Sequence, residues 1–219
     1  MNLAIPFYSR VLGRPVSTSG TSETNKDPFW APASVVGLMG FGMTTMLAGV
    51  AIASNGPNWG VSNAAVFPMA LAFGGTAQFV AGIIMIRRGE IFAGTAFMSF
   101  AAFWWAFTLL LSGLISSSLG AAGPYDVMWF MIVWAMFTFS FAINSLHHGP
   151  VLAFVFWTLL VAFVLLAVDF GMVGAGNAPS SGLWEATGIV TFITGGAAWY
   201  GATGILTAAH NAGKKVLPY

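Results

Sequence analysis

The chain has 219 residues, of which 58% are hydrophobic and only 6% charged, against roughly 25% charged residues in a soluble domain, so it carries no water-facing coat. Seven Lys and Arg against six Asp and Glu leave a formal net charge of +1, too little for a nucleic-acid footprint. With no cysteine, disulfides, zinc–thiolate sites and thiol catalysis are excluded.

Residues 1–33 read as a flexible cytoplasmic segment. Arg10 and Arg14 are followed by a polar stretch from Pro15 to Pro28, not by the short apolar core of a secretory signal. That composition reads as a tether.

From Ser34 onward, six windows reach the roughly 20 mostly apolar residues that a membrane-spanning helix needs. They run Ser34–Ser54, Ala64–Ile86, Ile91–Ile115, Val127–Leu146, Val151–Met172 and Leu183–Ala209. The fold class expected is therefore all-α: a polytopic membrane protein with six transmembrane helices over residues 34–209, then a short cytoplasmic tail, 210–219. Turn residues separate the windows, as in Arg87-Arg88-Gly89-Glu90 and His148-Gly149-Pro150. Pro150 stands where a helix would begin and its missing N–H costs nothing. Pro68 falls inside the second window and is expected to bend it, a distortion that neighbouring helices tolerate.

The cations fix an orientation. Arg10, Arg14 and Lys26 precede the first window, Arg87 and Arg88 join the second to the third, and Lys214 and Lys215 follow the sixth. All lie on one side, while the other carries only Asp126, Asp169 and Glu185, each expected within about a turn of the outer surface. The positive-inside rule places both termini in the cytoplasm, in an inner or plasma membrane.

Small residues recur at helical spacing: Gly40, Thr44 and Ala48, then Ala70, Gly74, Gln78 and Gly82, then Gly188, Gly196 and Gly204. Such stripes let helix backbones approach closely. No window carries Lys, Arg, Asp or Glu near its middle, which argues against a retinal pump, a relay of buried carboxylates and an acidic-ring cation channel. Neither HExxH nor GxSG is present, and nothing calls for a metal, a cofactor or an enzyme. Neutral polar groups remain: Thr44, Thr45, Thr76, Gln78, Ser99, Asn144, Thr158, Thr191 and Thr194. The plain reading of each Thr is a bond back to its own helix; the functional one is a weak donor to a small anion, released fast enough for conduction. His147 and His148 point about 100° apart on a helix and do not form one metal site. They read as interfacial, with proton sensing at the cytoplasmic mouth as the functional alternative. Of the nine Trp, Trp104, Trp105 and Trp199 fall inside windows and are the candidates for lining a path.

The string from Val36 to Thr45, VGLMGFGMTT, resembles the first span of the acetate uptake transporters, which include the bacterial acetate–succinate permease and fungal acetate and ammonium export proteins. Phe73 to Gln78 (FGGTAQ) is similar to their second span, Gly94 to Trp104 to their third, and Val151 to Ala167 to their fifth; Val216-Leu217-Pro218 resembles their C-terminal end. The resemblance implies a homo-hexamer with a pore within each subunit, embedded in the bilayer and passing acetate and similar small carboxylates. It implies a hydrophobic constriction of Phe41, Phe100 and Leu159, a match of Gln78 to the family's second-span glutamine and a size-selecting position at Ala198; Thr44, Thr45, Gln78, Asn144 and Thr158 are the donors expected along such a path. Four places depart from the family pattern. The entrance motif reads Pro32-Ala33-Ser34-Val35-Val36-Gly37-Leu38, without its Asn and second Pro; Phe100 replaces a common Tyr, Met85 an acidic residue and His147 a basic one. Passive or weakly proton-coupled carboxylate transport is the function expected, with conduction of ammonia or another neutral solute, or a non-transporting scaffold or sensor subunit, as the alternatives.

Overall fold

The computed structural model describes residues 31–56, 65–112, 122–211, 213–214 and 217; the tether at Pro15 to Pro28 lies outside them. Among the described residues there is no strand. Six helices are long and apolar enough to cross a membrane: α1 (Ser34–Asn55), α2 (Val66–Arg87), α3 (Ile91–Ser112), α4 (Pro124–Ser145), α5 (Pro150–Gly174) and α6 (Ser181–His210). The 22 residues of α1 rise about 33 Å at 1.5 Å each, enough for the roughly 30 Å of hydrocarbon.

The helix starts follow local chemistry. The expectation for α4 began at Val127, but Pro124 takes the first helical position, and Asp126 Oδ2 accepts the Gly123 backbone N–H at 2.8 Å. Pro150 opens α5 as expected, preceded by Gly149 at φ +105°, a conformation that suits glycine. The expected end of the third span, at Ile115, lies outside the described residues.

Pro68 lies just ahead of an irregularity in α2. It sits in the first turn, where no intrahelical N–H is needed, and the departure from α geometry comes just after it, as a π-helical stretch from Ala70 to Ala77. There the Leu71 carbonyl accepts from the Thr76 hydroxyl at 2.9 Å and from the Trp105 indole N–H at 3.4 Å. Such stretches recur at functional sites.

The helices follow one another around a ring. Backbone-close contacts join α1 to α2, α2 to α3, α4 to α5, α5 to α6, and α6 back to α1. Between α3 and α4 the join is aromatic: Phe103 and Phe107 both stack on Phe130. The tightest seam is α1 on α6. A Cβ added at Gly42 would stand 2.7 Å from the Gly195 carbonyl oxygen, and one at Gly49 would stand 2.5 Å from the Phe192 nitrogen. The expected stripe on α6 is therefore shifted by one position: Gly188 and Gly195 make the close approach, whereas Gly196 has only the Met46 sulfur at 3.9 Å. On the outside of the ring, Trp129, Val133 and Met136 of α4 are exposed, the surface an apolar solvent favours.

Candidate functional site

Among the described residues, a pair of neighbouring cavities lies within the ring. A vestibule of about 480 Å³ opens at the face that carries Ser34, the Gly89–Glu90 turn and His148. Its wall is apolar, formed among others by Leu38, Phe97, Leu152 and Phe156, and Met85 also reaches it. Its polar groups are Gln78, Glu90, His148 and Ser34. Beyond it lies a second void of about 30 Å³, room for little more than a water molecule. Phe41 and Phe100 line both. They are the partition between them, with ring centroids 5.6 Å apart and planes tilted by 59°. Leu159 lines the second void just behind the partition. The three residues expected to form a constriction thus converge from α1, α3 and α5.

Phe100 is 2% exposed and is held by rings from two further helices: Trp134 and Phe137 of α4, Phe156 and Phe163 of α5. A rotation of Phe100 is therefore a repacking of that cluster. No hydrogen-bonding side-chain group is contributed by Phe41, Phe100 or Leu159, so an ion at this level gives up water without replacement.

Gln78 is fully buried at the vestibule wall. Its Nε2 donates to the Phe97 carbonyl at 3.3 Å, and its Oε1 has no partner. One amide proton and the buried oxygen are left outside the bond to the Phe97 carbonyl. Thr45 lines the second void, but its hydroxyl donates to the Phe41 carbonyl at 2.7 Å. Thr44 is buried without a partner for its hydroxyl and faces Gly74 rather than either cavity.

The other expected path donors are placed elsewhere. Asn144 is exposed on α4 and donates to the Ser140 carbonyl at 2.8 Å. Thr158 donates to the Phe154 carbonyl at 2.8 Å. Neither lines a cavity, because in a bilayer a lone hydroxyl or amide without a wet surface satisfies itself on its own helix. Thr191 and Thr194 also bond back to their own helix, although Thr191 lines the second void. Ala198 is buried in the α1–α6 seam, its Cβ 3.3 Å from where a Gly42 Cβ would be; it touches the backbone next to Phe41 rather than the path. Of the Trp candidates, Trp104 lines the second void with its indole N–H unpartnered, Trp105 supports Leu71, and Trp199 is 44% exposed.

At the vestibule mouth His148 stacks on Phe92, centroids 4.0 Å apart. Partial burial, with the neighbouring His147 charge second, holds its pKa below the usual histidine value. Glu90 beside it pairs with Arg88 Nε at 3.2 Å, so the acid at the mouth is neutralised locally. Asp169, expected within about a turn of the outer surface, stands near the end of α5 and is buried there between α5 and α6.

Six apolar helices make this a multi-pass membrane protein, and its relatives place it among transporters of small solutes. The chain belongs to the GPR1/FUN34/yaaH family, whose profile matches residues 17–216. It is 32% identical over 186 residues to the "Succinate-acetate/proton symporter SatP" of Escherichia coli K12, covering 84% of this chain and 92% of that protein. To "Ammonia transport outward protein 2" of Saccharomyces cerevisiae it is 28% identical over 211 residues, covering 88% and 70%. A solved structure, "Structure of the bacterial acetate channel SatP", superposes with a TM-score of 0.73 at 31% identity, covering 86% of this chain and 98% of the other.

Proposed function

We propose that the chain conducts acetate and similar small carboxylates through a path inside each subunit, passively or with weak proton coupling. The observation that carries this reading is the partition: Phe41 and Phe100 wall both cavities, with Leu159 behind them. A solute enters the vestibule, meets the free amide proton of Gln78, and passes when the Phe100 cluster yields. A gate without fixed charge binds an anion weakly and releases it fast, as conduction requires. The names of the Escherichia coli relative and of the solved channel support acetate as the solute. Assembly as a homo-hexamer in an inner or plasma membrane, with both termini cytoplasmic, belongs to the same reading. The orientation is supported by the positive-inside rule.

Labelled-acetate uptake into proteoliposomes, with pH gradient and membrane potential imposed separately, tests it. Uptake driven by potential alone upholds an anion path, and uptake that needs the pH gradient upholds proton symport or passage of the neutral acid. No uptake from folded protein overturns the carboxylate reading and favours ammonia, which the uncharged gate and the yeast relative's name also support. Failure of ammonia flux as well would leave the scaffold or sensor reading.

A further inference from the structure

Asp169 is the acidic side chain that the described part of the bundle buries, at 2% exposure. Its Oδ2 accepts the Thr187 hydroxyl of α6 at 2.6 Å, while its Oδ1 is buried with no partner. The helical register relates this pair to the path. On α5 the second void is lined by Leu159, Phe163 and Leu166; three or four residues further on the same face come Asp169 and Phe170. On α6 it is lined by Thr191, whose hydroxyl donates to the Thr187 carbonyl one turn earlier, at 2.8 Å. The pair thus stands one turn past the second void, on faces that line it. Beside it Phe170 meets Trp184 edge-on, 5.1 Å between centroids.

Among the described residues no cation pairs with the carboxyl. α5 has no other titratable side chain; α4 brings Tyr125 and Asp126 near the same end, and Asp126 is bound to the Gly123 N–H. α6 brings Glu185 at that end, with Tyr200 and His210 in its far half, and α1 and α3 bring none. Thr187 supplies one hydrogen bond to a group with two oxygens. A proton on Oδ1 is the compensation left.

We propose that the Asp169–Thr187 pair is a proton-operated filter at the end of the path opposite the vestibule. Protonated, the pair is neutral and a carboxylate passes; ionised, it is a fixed negative charge that turns anions back. The proton comes from, and returns to, water or solute reaching Oδ1. This inference rests on the carboxylate reading above, and it makes Asp169 a specificity-determining residue outside the aromatic gate.

The test is potential-driven uptake of labelled acetate into proteoliposomes at equal pH on both sides, stepped from weakly acid to weakly alkaline, with protein-free vesicles as the blank. Wild-type flux falls as pH rises. D169N gives a flat profile, about tenfold faster than wild type at the alkaline end, as expected when one like charge is removed from the edge of a low-dielectric path. A D169N profile that falls in parallel with wild type overturns the filter. Infrared titration of the folded wild-type protein in lipid gives a reading independent of flux: a protonated-carboxyl band that fades as pH rises and is missing in D169N. If D169N does not fold, T187V, which removes only the hydroxyl bond, must shift the same band. A wild-type spectrum without such a band change overturns the proposal. Vesicles that pass no acetate at any pH would count against the carboxylate path, and the band alone would then decide the proton site.

Discussion

The ring of Phe41 lies 5.6 Å from that of Phe100, and this contact, made by residues 59 positions apart, separates the vestibule from the void beyond. Leu159 reaches the same level from a third helix. None of the three has anything polar to offer a solute, so in the proposed path size and desolvation set what crosses.

Leu159→Ala removes a buried side chain at the rim of the void. We expect succinate flux to rise about tenfold relative to acetate, in line with the discrimination that a few methylenes supply in an apolar passage. Competition between labelled acetate and unlabelled succinate in proteoliposomes checks this; unchanged flux and substrate range would mean that the gate lies elsewhere.

Gln78→Leu keeps the bulk but deletes the donor at the vestibule wall. The KM for acetate should rise about tenfold, the loss of roughly one net hydrogen bond, with little change in maximal rate. An unchanged KM in initial-rate uptake would remove Gln78 from the path.

Gly49→Ala and Gly196→Ala form a matched pair on the α1–α6 seam. The first puts a methyl 2.5 Å from the Phe192 backbone, and the second meets nothing closer than 3.9 Å. Overpacking against backbone costs about 1–3 kcal/mol, so thermal unfolding in detergent should fall clearly for Gly49→Ala and stay near wild type for Gly196→Ala.

His148 carries a stability–pH prediction. Its folded pKa is lowered, first by partial burial and then by His147, so between the folded and unfolded values the unfolded chain binds more protons. Stability is fully present above the unfolded value of about 6.5 and is lost as pH falls through it, the loss being complete below the folded value. His148→Phe, which keeps the stack on Phe92, should show a shallower drop in melting temperature on acidification; an identical slope would assign the drop to other groups.

The six spans were legible because the hydrocarbon thickness imposes a length and a composition that any sequence must display. Which face of each span looks inward was not. The helices are apolar all round, so Asn144 and Thr158 looked as eligible for the path as Gln78, and only packing separates them. The three gate residues were reachable through family resemblance, since nothing local distinguishes Phe41 or Phe100 from the other 18 phenylalanines, given 20 in all. Asp169 stands near a helix end, as its position in the sequence implies, but its burial is not legible there, because it depends on the Thr187 hydroxyl of another helix. Gly195 and Gly196 differ by about 100° of helical phase, which a count of small residues does not resolve.

The π-helical stretch from Ala70 to Ala77 has a consequence for how α2 tolerates change. A π segment accommodates an additional residue within a helix, so the half that follows is dialled round the axis by about 100° relative to a continuous α-helix of the same residues. Gln78 at the vestibule wall and Gly82 against Met98 both owe their azimuth to that offset. A single-residue deletion between Ala70 and Ala77 is therefore a rotational edit, tolerated only if the remaining residues rewind as α-helix and return Gln78 to its bearing.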